Sequence, residues 1–448
     1  MKEMKKERIM RWGILGMAVI IYLMWTNVIP FNRAPDEYGR YLVPQFIFEN
    51  GCLPQGGEES VRIPGWGFSY ALTPILGGII SSIFMKAYSI IGGNTEQLYL
   101  AARLASVCCG VGTVYFMFKI GKETVGERYK YICASLIAFW PQFTFISAYV
   151  NNDIVAVFSI SIIVYYWIQG IKSKWSFRAC IGLGIGISIC ALSYYNAYGF
   201  ILCSMILFIK SNLLMQQRWK EIFKRGGIIA VIVIILSGWW FMRNGIIHNG
   251  DILGLKSVTE YSNLYGLPEL QPANRDTPHN LNESLLYMLK DRKWIDQTYK
   301  SFIGVFDYMN IYVYNWIYKL YGILMLIGGI KIVTIATRYK KSRGGQLDDP
   351  KQNLLFEIML ILAGVISITL SLIYSYYTDF QPQGRYIMGC IIPLIYFITL
   401  ALKSIDEWLM RHKINLGLPY IIVSIMTIVN IICLTKILFP SYFVISKI

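Results

Sequence analysis

At 448 residues the chain is 55% hydrophobic with a mean hydropathy of +0.47, and apolar runs of about 20 residues recur along it, which excludes a soluble globular protein and describes a polytopic helical membrane protein. The net charge of +16 does not mark a nucleic-acid binder, because the basic residues fall in short clusters between apolar runs, where they encode orientation. Of nine cysteines only Cys52 lies in a clear extramembrane loop, so neither a disulfide framework nor a zinc set is implied.

The first eleven residues are rich in lysine and arginine, and the apolar run that follows, to residue 29, is too long for a signal-peptide core and has no small-residue cleavage site. Residues 12–29 therefore read as a retained signal anchor with a cytoplasmic N-terminus. A first outer loop, 31–93, begins with Asn32-Arg33-Ala34-Pro35-Asp36-Glu37-Tyr38-Gly39-Arg40, two adjacent carboxylates flanked by arginines. Pro35 favours an extended turn there, so the acids sit at a span's end and not midway along it. Within the loop, residues 41–48 read as a short amphipathic piece lying on the membrane. Residues 73–93 are apolar but broken by Gly77-Gly78 and Lys86. An odd number of crossings must separate Asp36 from the basic loop 119–130, so 73–93 reads as an interfacial or re-entrant helix, and 98–120 as the crossing.

Residues 131–148 then run outward, a turn holds Asn151-Asn152-Asp153, and 154–169 return to Lys172, Lys174 and Arg178. Two short spans at about 179–193 and 195–209 lead to the basic loop 210–225, and 226–241 goes outward again. The longest polar interval, 242–310, is a larger outer loop. Residues 311–335 cross to a basic loop with Arg338, Lys340, Lys341 and Arg343, and spans at 356–374, 386–402 and 418–438 complete about eleven. Most lysines and arginines fall on one side of this scheme, as positive-inside orientation requires. The expectation is an all-α polytopic membrane protein forming one domain over 1–448.

Polar residues gather at the outward ends of the spans: Asp36, Glu37 and Arg40; Asn151, Asn152 and Asp153; Arg243, Asn244 and Asp251; Gln383, Gly384 and Arg385. Bundled helices would bring them to one pocket, where a carboxylate beside arginines suits base chemistry on a phosphate-bearing substrate. The alternative is scattered interfacial capping. Arg103 lies inside a span, where an uncompensated charge costs about 3 kcal/mol, so it needs a partner: Asp153, a lipid phosphate or a cluster of carbonyls. The glycine run at 182–186 lies in a span and reads as close helix packing, and His248, His279 and His412 lack metal-ligand spacing. Asn282-Glu283-Ser284 fits a glycosylation sequon, a pattern short enough to arise by chance. The many tyrosines and tryptophans read mostly as an interfacial belt, with a minority available to stack on a sugar.

Together these residues resemble the GT-C superfamily of polytopic glycosyltransferases, which includes protein O-mannosyltransferases and the aminoarabinose transferases of lipid A. The likeness rests on PDEYGR after the first span, on an acid in the next outer turn (PQFTFISAYVNNDIVAV), on GWWFMRNGIIHNGDILG opening the large outer loop, and on QPQGRYIMGCIIPL late in the chain. It implies transfer of a sugar, with inversion, from a polyprenyl-phosphate-linked donor to a cell-envelope glycan, lipid or protein on the extracytoplasmic face of the plasma membrane. It implies Asp36 as base on the acceptor hydroxyl, or as a holder of a divalent cation, with Glu37 assisting and Asp153 as the second acid. Arg385, Arg243, Arg40 and Arg103 are then candidates for the donor phosphate, and Asn151, Asn152, Asn244, Gln383 and Tyr38 for the substrate. Many relatives carry a histidine three residues after the acid pair, where this chain has Arg40, so the likeness assigns no metal site. Two rival functions share the architecture: a polysaccharide polymerase or ligase, and a lipid-linked-glycan transporter or flippase. The transporter predicts mid-membrane acids and internally repeated halves, and the acids here lie at span ends.

Overall fold

The computed structural model describes residues 2–335 and 349–445; the basic loop with Arg338, Lys340, Lys341 and Arg343 lies outside the described residues. The chain is a helical bundle. Its helices in order are α1 (Lys2–Val28), α2 (Glu37–Asn50), α3 (Leu76–Ile90), α4 (Leu98–Thr124), α5 (Lys130–Ala138), α6 (Pro141–Ile146), α7 (Asp153–Lys172), α8 (Phe177–Ala191), α9 (Tyr198–Leu214), α10 (Trp219–Val233), α11 (Trp239–Ile247), α12 (Leu255–Tyr265), α13 (Leu285–Lys290), α14 (Trp294–Gly304), α15 (Asn315–Val333), α16 (Pro350–Tyr377), α17 (Ile391–Arg411), α18 (Leu418–Ile432) and α19 (Phe439–Ile445). Among the described residues, nine helical stretches are long and apolar enough to cross a membrane, and α3 and α8, at 15 residues each, are apolar but shorter. At 1.5 Å per residue, 15 residues span about 22 Å against a hydrocarbon core of about 30 Å.

The expected count of eleven spans is not reached by length and composition, and one reason is local. The stretch read as a single span at 131–148 is two helices, because Pro141 begins α6 and the residue before it, Trp140, is extended (φ −69°, ψ 120°). Breaking a helix inside a bundle strands carbonyl groups that lipid cannot satisfy. Here side chains from other helices reach them. Tyr22 donates to the Ala138 carbonyl at 2.9 Å, and Asn430 and Tyr321 both donate to the Phe139 carbonyl at 3.3 Å. This break lies at the centre of the main apolar core, where Trp25, Phe139, Trp140, Phe143 and Tyr321 are all fully buried.

Close helix approach uses small residues. A Cβ at Gly110 would stand 2.5 Å from the Ser147 Oγ, and one at Gly182 would fall inside the Tyr166 ring, so these glycines set the spacing of α4 and α8 against their neighbours. The interval 242–310 is structured: the last turns of α11, then α12, α13 and α14, and a two-stranded hairpin, β1 (Val305–Phe306) and β2 (Ile311–Tyr312), pairing Val305 with Tyr312 and Phe306 with Ile311. At Gly384 a Cβ would lie 2.1 Å from the Phe302 backbone nitrogen, so only glycine lets the chain entering α17 lie against the end of α14. That contact brings the late arginine turn onto the bundle end where α1 finishes.

Candidate functional site

Asp36 precedes α2 with left-handed backbone angles (φ 63°, ψ 2°), a conformation that costs a non-glycine residue about 1 kcal/mol. Aspartate at such a position normally caps its helix by accepting a backbone N–H, a bond worth about 1 kcal/mol. Asp36 makes no such cap. Its Oδ2 faces the Arg385 Nη2 at 2.5 Å instead, and the Nη1 of the same guanidinium lies 3.4 Å from the Asp153 Oδ2. Residues 36, 153 and 385, far apart in the chain, thus meet at one end of the bundle. The Arg385 and Asp153 side chains are each 2% exposed, whereas Asp36 is 31% exposed and so reaches solvent.

Arg40, one turn further along α2, is buried beside the same group, stacked over the Tyr70 ring at 4.1 Å and near Tyr194 at 5.7 Å. Burial works to raise the Asp36 pKa, but the charges of Arg385 and Arg40, with hydrogen bonds from Arg385 and Tyr70, hold its carboxyl below the ordinary range. Burial likewise works to lower the Arg40 pKa, and the surrounding Tyr70, Asp153 and Asp36 raise it instead, so Arg40 is a permanent cation. Asp153 Oδ1, Tyr149 OH and Arg40 Nε are buried with no hydrogen-bond partner among the described residues. A narrow crevice with about 10 Å³ of interior space, room for about one water, is lined by Asp153, Arg385, Tyr194, Asn196 and Tyr386. It continues along an apolar wall of Ala156, Val157, Ile160 and Met388.

Glu37 points away from this group. Its carboxylate takes the Arg103 Nε at 2.7 Å and Nη2 at 2.7 Å, and accepts the backbone N–H of Asn32 at 3.0 Å and of Val150 at 3.3 Å. Arg103 donates its remaining three N–H groups to the carbonyls of Thr26, Ile29 and Pro30. A guanidinium has five donors, and all five are engaged inside the protein. Both side chains are fully buried.

The other expected site residues fall into two groups. Gln383 accepts the Arg385 Nε at 2.7 Å and belongs to the cluster. Asn151 and Asn152 flank it on the turn before α7 but serve the backbone: Asn151 binds the Ile146 and Tyr149 carbonyls and accepts the Ile154 N–H, and Asn152 binds the Pro74 carbonyl. Arg243 holds the Leu53 and Pro54 carbonyls and Asn244 the Leu72 carbonyl, so their partners are loop backbone and not the acids. Tyr38 is exposed, its ring edge-on to Phe31. Five tyrosines wall the cluster: Tyr70 and Tyr194, which the sequence placed in the aromatic belt, and Tyr149, Tyr374 and Tyr386, which it did not single out. Their signal was position, since each lies at or just beyond the same ends of the apolar runs as the acids.

Among the described residues no group of three or more His, Cys, Asp or Glu side chains is placed to hold a metal ion. The two carboxylates that face one another do so across the Arg385 guanidinium, which takes the position a shared cation would need. The arrangement therefore does not fit a metal centre.

A protein family described as "Predicted membrane protein (DUF2142)" matches residues 79–396. An uncharacterized protein of Aquifex aeolicus (strain VF5) is 25% identical over 206 residues, 44% of this chain and 40% of that protein. Among solved structures, the archaeal oligosaccharyltransferase AglB from Archaeoglobus fulgidus, in complex with an inhibitory peptide and a dolichol-phosphate, superposes with a TM-score of 0.56 at 12% identity, over 96% of this chain and 55% of that one. ArnT from Cupriavidus metallidurans, bound to undecaprenyl phosphate, superposes with a TM-score of 0.52 at 11% identity, over 96% and 73%. The chain spans about half the length of the oligosaccharyltransferase. The fold is that of the GT-C glycosyltransferases.

Proposed function

The chain belongs to the predicted-membrane-protein family DUF2142 and carries a GT-C fold, and from that premise we propose that it is a membrane glycosyltransferase that moves a sugar, with inversion, from a polyprenyl-phosphate-linked donor to a hydroxyl of a cell-envelope glycan, lipid or protein. The observation that carries the reading is the uncapped, left-handed Asp36, a half-exposed carboxylate held by Arg385 beside Arg40. The Asp36 carboxylate, with no bond to its own helix, is left to pair with Arg385 and to reach solvent.

A sugar phosphate is already activated, so the protein has two tasks. Asp36 accepts the proton of the acceptor hydroxyl as its oxygen attacks the anomeric carbon, and the bond from that carbon to the phosphate oxygen breaks. The electron pair leaves with the polyprenyl phosphate, whose growing negative charge falls on Arg385 and Arg40, fixed donors in a water-poor site. A single displacement inverts the anomeric centre. The crevice running from Arg385 along Ala156, Val157, Ile160 and Met388 has the chemistry a lipid phosphate needs, a cationic head and an apolar wall. The neighbouring structures carry dolichol-phosphate and undecaprenyl phosphate, which supports a lipid-linked donor here. Glu37 and Arg103 form the scaffold for this turn, and Asp153 balances the two arginines. Positive-inside patterning supports an extracytoplasmic site with the N-terminus in the cytoplasm.

The test is to incubate the purified chain with polyprenyl-phosphate sugars and follow release of polyprenyl phosphate. We expect Asp36→Asn to lower that release by at least about 100-fold in a protein that still folds. Release at the wild-type rate by Asp36→Asn refutes the base, and movement of intact donor between leaflets without release replaces the transferase by a transporter.

A further inference from the structure

Between α16 and the 3-10 turn Gly384–Cys390 that leads into α17, residues 379–383 form no helix or strand, and Gln383 is extended at φ −104° and ψ 126°. The side chains of 379, 381, 383 and 385 are joined one to the next by hydrogen bonds. They form a continuous ladder. Gln381 Nε2 donates to Asp379 Oδ2 at 2.8 Å, Gln383 Nε2 donates to Gln381 Oε1 at 2.6 Å, and Arg385 Nε donates to Gln383 Oε1 at 2.7 Å. The backbone beneath is pinned from both sides. Ser375 donates to the Gln381 carbonyl at 3.1 Å, and Ser301 on α14 accepts the Gly384 N–H at 2.6 Å.

The two ends of the ladder have fixed polarity. A carboxylate only accepts and a guanidinium only donates, whereas an amide can present either face. With Asp379 at one end and Arg385 at the other, just one orientation of both glutamines satisfies every rung. Remove the acceptor-only end and Gln381 keeps a single rung, so nothing on its far side holds the Gln381 amide in place, and Gln383 and the Arg385 Nε–H lose the support behind them. We infer that Asp379 is a positioning residue for the Arg385 guanidinium, acting through the Gln381 and Gln383 amides so that the fork stays aimed at Asp36 and at the donor phosphate. The inference rests on the phosphate role proposed above for Arg385. It explains why a half-buried carboxylate sits at the rim without touching the acid pair.

The experiment measures binding of undecaprenyl phosphate to the purified full-length chain in detergent, for wild type, Asp379→Ala, Asp379→Asn, Gln381→Leu, Arg385→Lys and the Asp379→Ala/Arg385→Lys double variant. Asp379→Ala and Gln381→Leu should each weaken binding about fivefold, the worth of one ordinary net hydrogen bond. Asp379→Asn should stay within about twofold of wild type, because its carbonyl still accepts from Gln381. Adding Asp379→Ala to Arg385→Lys should cost nothing further, since lysine has no fork for the ladder to orient. Gln381→Leu severs the ladder in the middle, so it keeps the inference testable where Asp379→Ala fails to fold. Arg385→Lys weak with Asp379→Ala and Gln381→Leu unchanged overturns the ladder and leaves the donor site standing. Equal losses for Asp379→Ala and Asp379→Asn, or an undiminished loss in the Arg385→Lys background, also overturn it. Absence of binding by wild type, or full binding by Arg385→Lys, removes the phosphate role of Arg385 and the ladder's purpose with it.

Discussion

Replacing Arg103 by methionine should be among the most destabilising single changes in this bundle. The guanidinium makes five hydrogen bonds, two to Glu37 and three to the carbonyls where α1 ends. Without it the Glu37 carboxylate stays fully buried with only the Asn32 and Val150 N–H groups, and three carbonyls at the turn each lose a donor. Breaking a buried pair by removing one partner costs about 3–5 kcal/mol. The double variant Glu37→Met/Arg103→Met removes the stranded charge, so it should be less destabilised than the sum of its parts by at least about 2 kcal/mol. Because the Asn32 N–H bond to Glu37 closes the turn that presents Asp36, sugar transfer should fall in the single variant more than the loss of folded protein accounts for. A denaturant titration of the purified variants in mixed micelles gives the free energies, and initial rates per folded molecule give the second quantity. An Arg103→Met protein within about 1 kcal/mol of wild type, or strictly additive effects, would show that the pair is not the clasp described.

Three further outcomes are expected. Asp36→Asn should lower polyprenyl phosphate release by at least about 100-fold while the protein still elutes as a folded species. Arg385→Gln should move the acid limb of the kcat/KM profile to higher pH: burial works to raise the Asp36 pKa and Arg385 is the largest influence opposing it, so removing Arg385 raises the pKa from its depressed value. The same sign governs stability, since the ion pair's contribution is present above the unfolded carboxylate value of 3.8 and is lost as pH falls through the lower folded value. An unchanged acid limb counts against Asp36 as the titrating base. Asn430→Leu should cost about 2–4 kcal/mol, because Asn430 donates to the Phe139 carbonyl and to Thr144 Oγ1 and accepts from Trp25 Nε1 across the break between α5 and α6. Thermal unfolding of the variant checks it, and a midpoint equal to wild type would mean the break is held by packing alone.

The bundle was legible in the sequence because apolar length and basic clusters are one-dimensional signals that lipid imposes directly. The break at Trp140-Pro141 was not, since 131–148 is continuously apolar and a proline inside a membrane helix often only kinks it. What decides the matter there is donors on α1, α15 and α18, namely Tyr22, Tyr321 and Asn430, and no local window contains them. At the site, the meeting of Asp36, Asp153 and Arg385 followed from parity of crossings, which puts all three at one end of the bundle. The division of labour between Asp36 and Glu37 did not follow. Adjacent residues at a helix start point in different directions, and which of them meets Arg103 depends on how α2 is rotated against α4. That rotation is set by packing between α2, α3 and α4.

The same end of the bundle gathers most of the irregular backbone: the turn at 29–36, the one at 147–152, the one at 192–197 and the stretch 378–384. Non-helical backbone at membrane depth persists only where protein groups satisfy it, so many polar side chains there are committed before any substrate is considered. Arg103 serves three carbonyls, Arg243 and Asn151 two each, and Asn152 and Asn244 one each. Some polar atoms at this end are not consumed, Arg243 Nη1, Asn244 Oδ1 and His248 Nε2 among them, and one set of them is gathered in a single place. In it are the half-exposed Asp36, Asp153 Oδ1, Arg40 Nε and Tyr149 OH, gathered around one guanidinium. A transporter would need such groups near the middle of the bilayer, on elements that rock against each other. Here they stand at the starts of α2 and α7 and in the turn before α7, tied together by Arg385 from the 3-10 turn Gly384–Cys390 and clasped from behind by Glu37 and Arg103. Under the transferase proposed above, the Arg385 cation at the crevice would hold the donor phosphate while Asp36 beside it takes the proton of the acceptor hydroxyl.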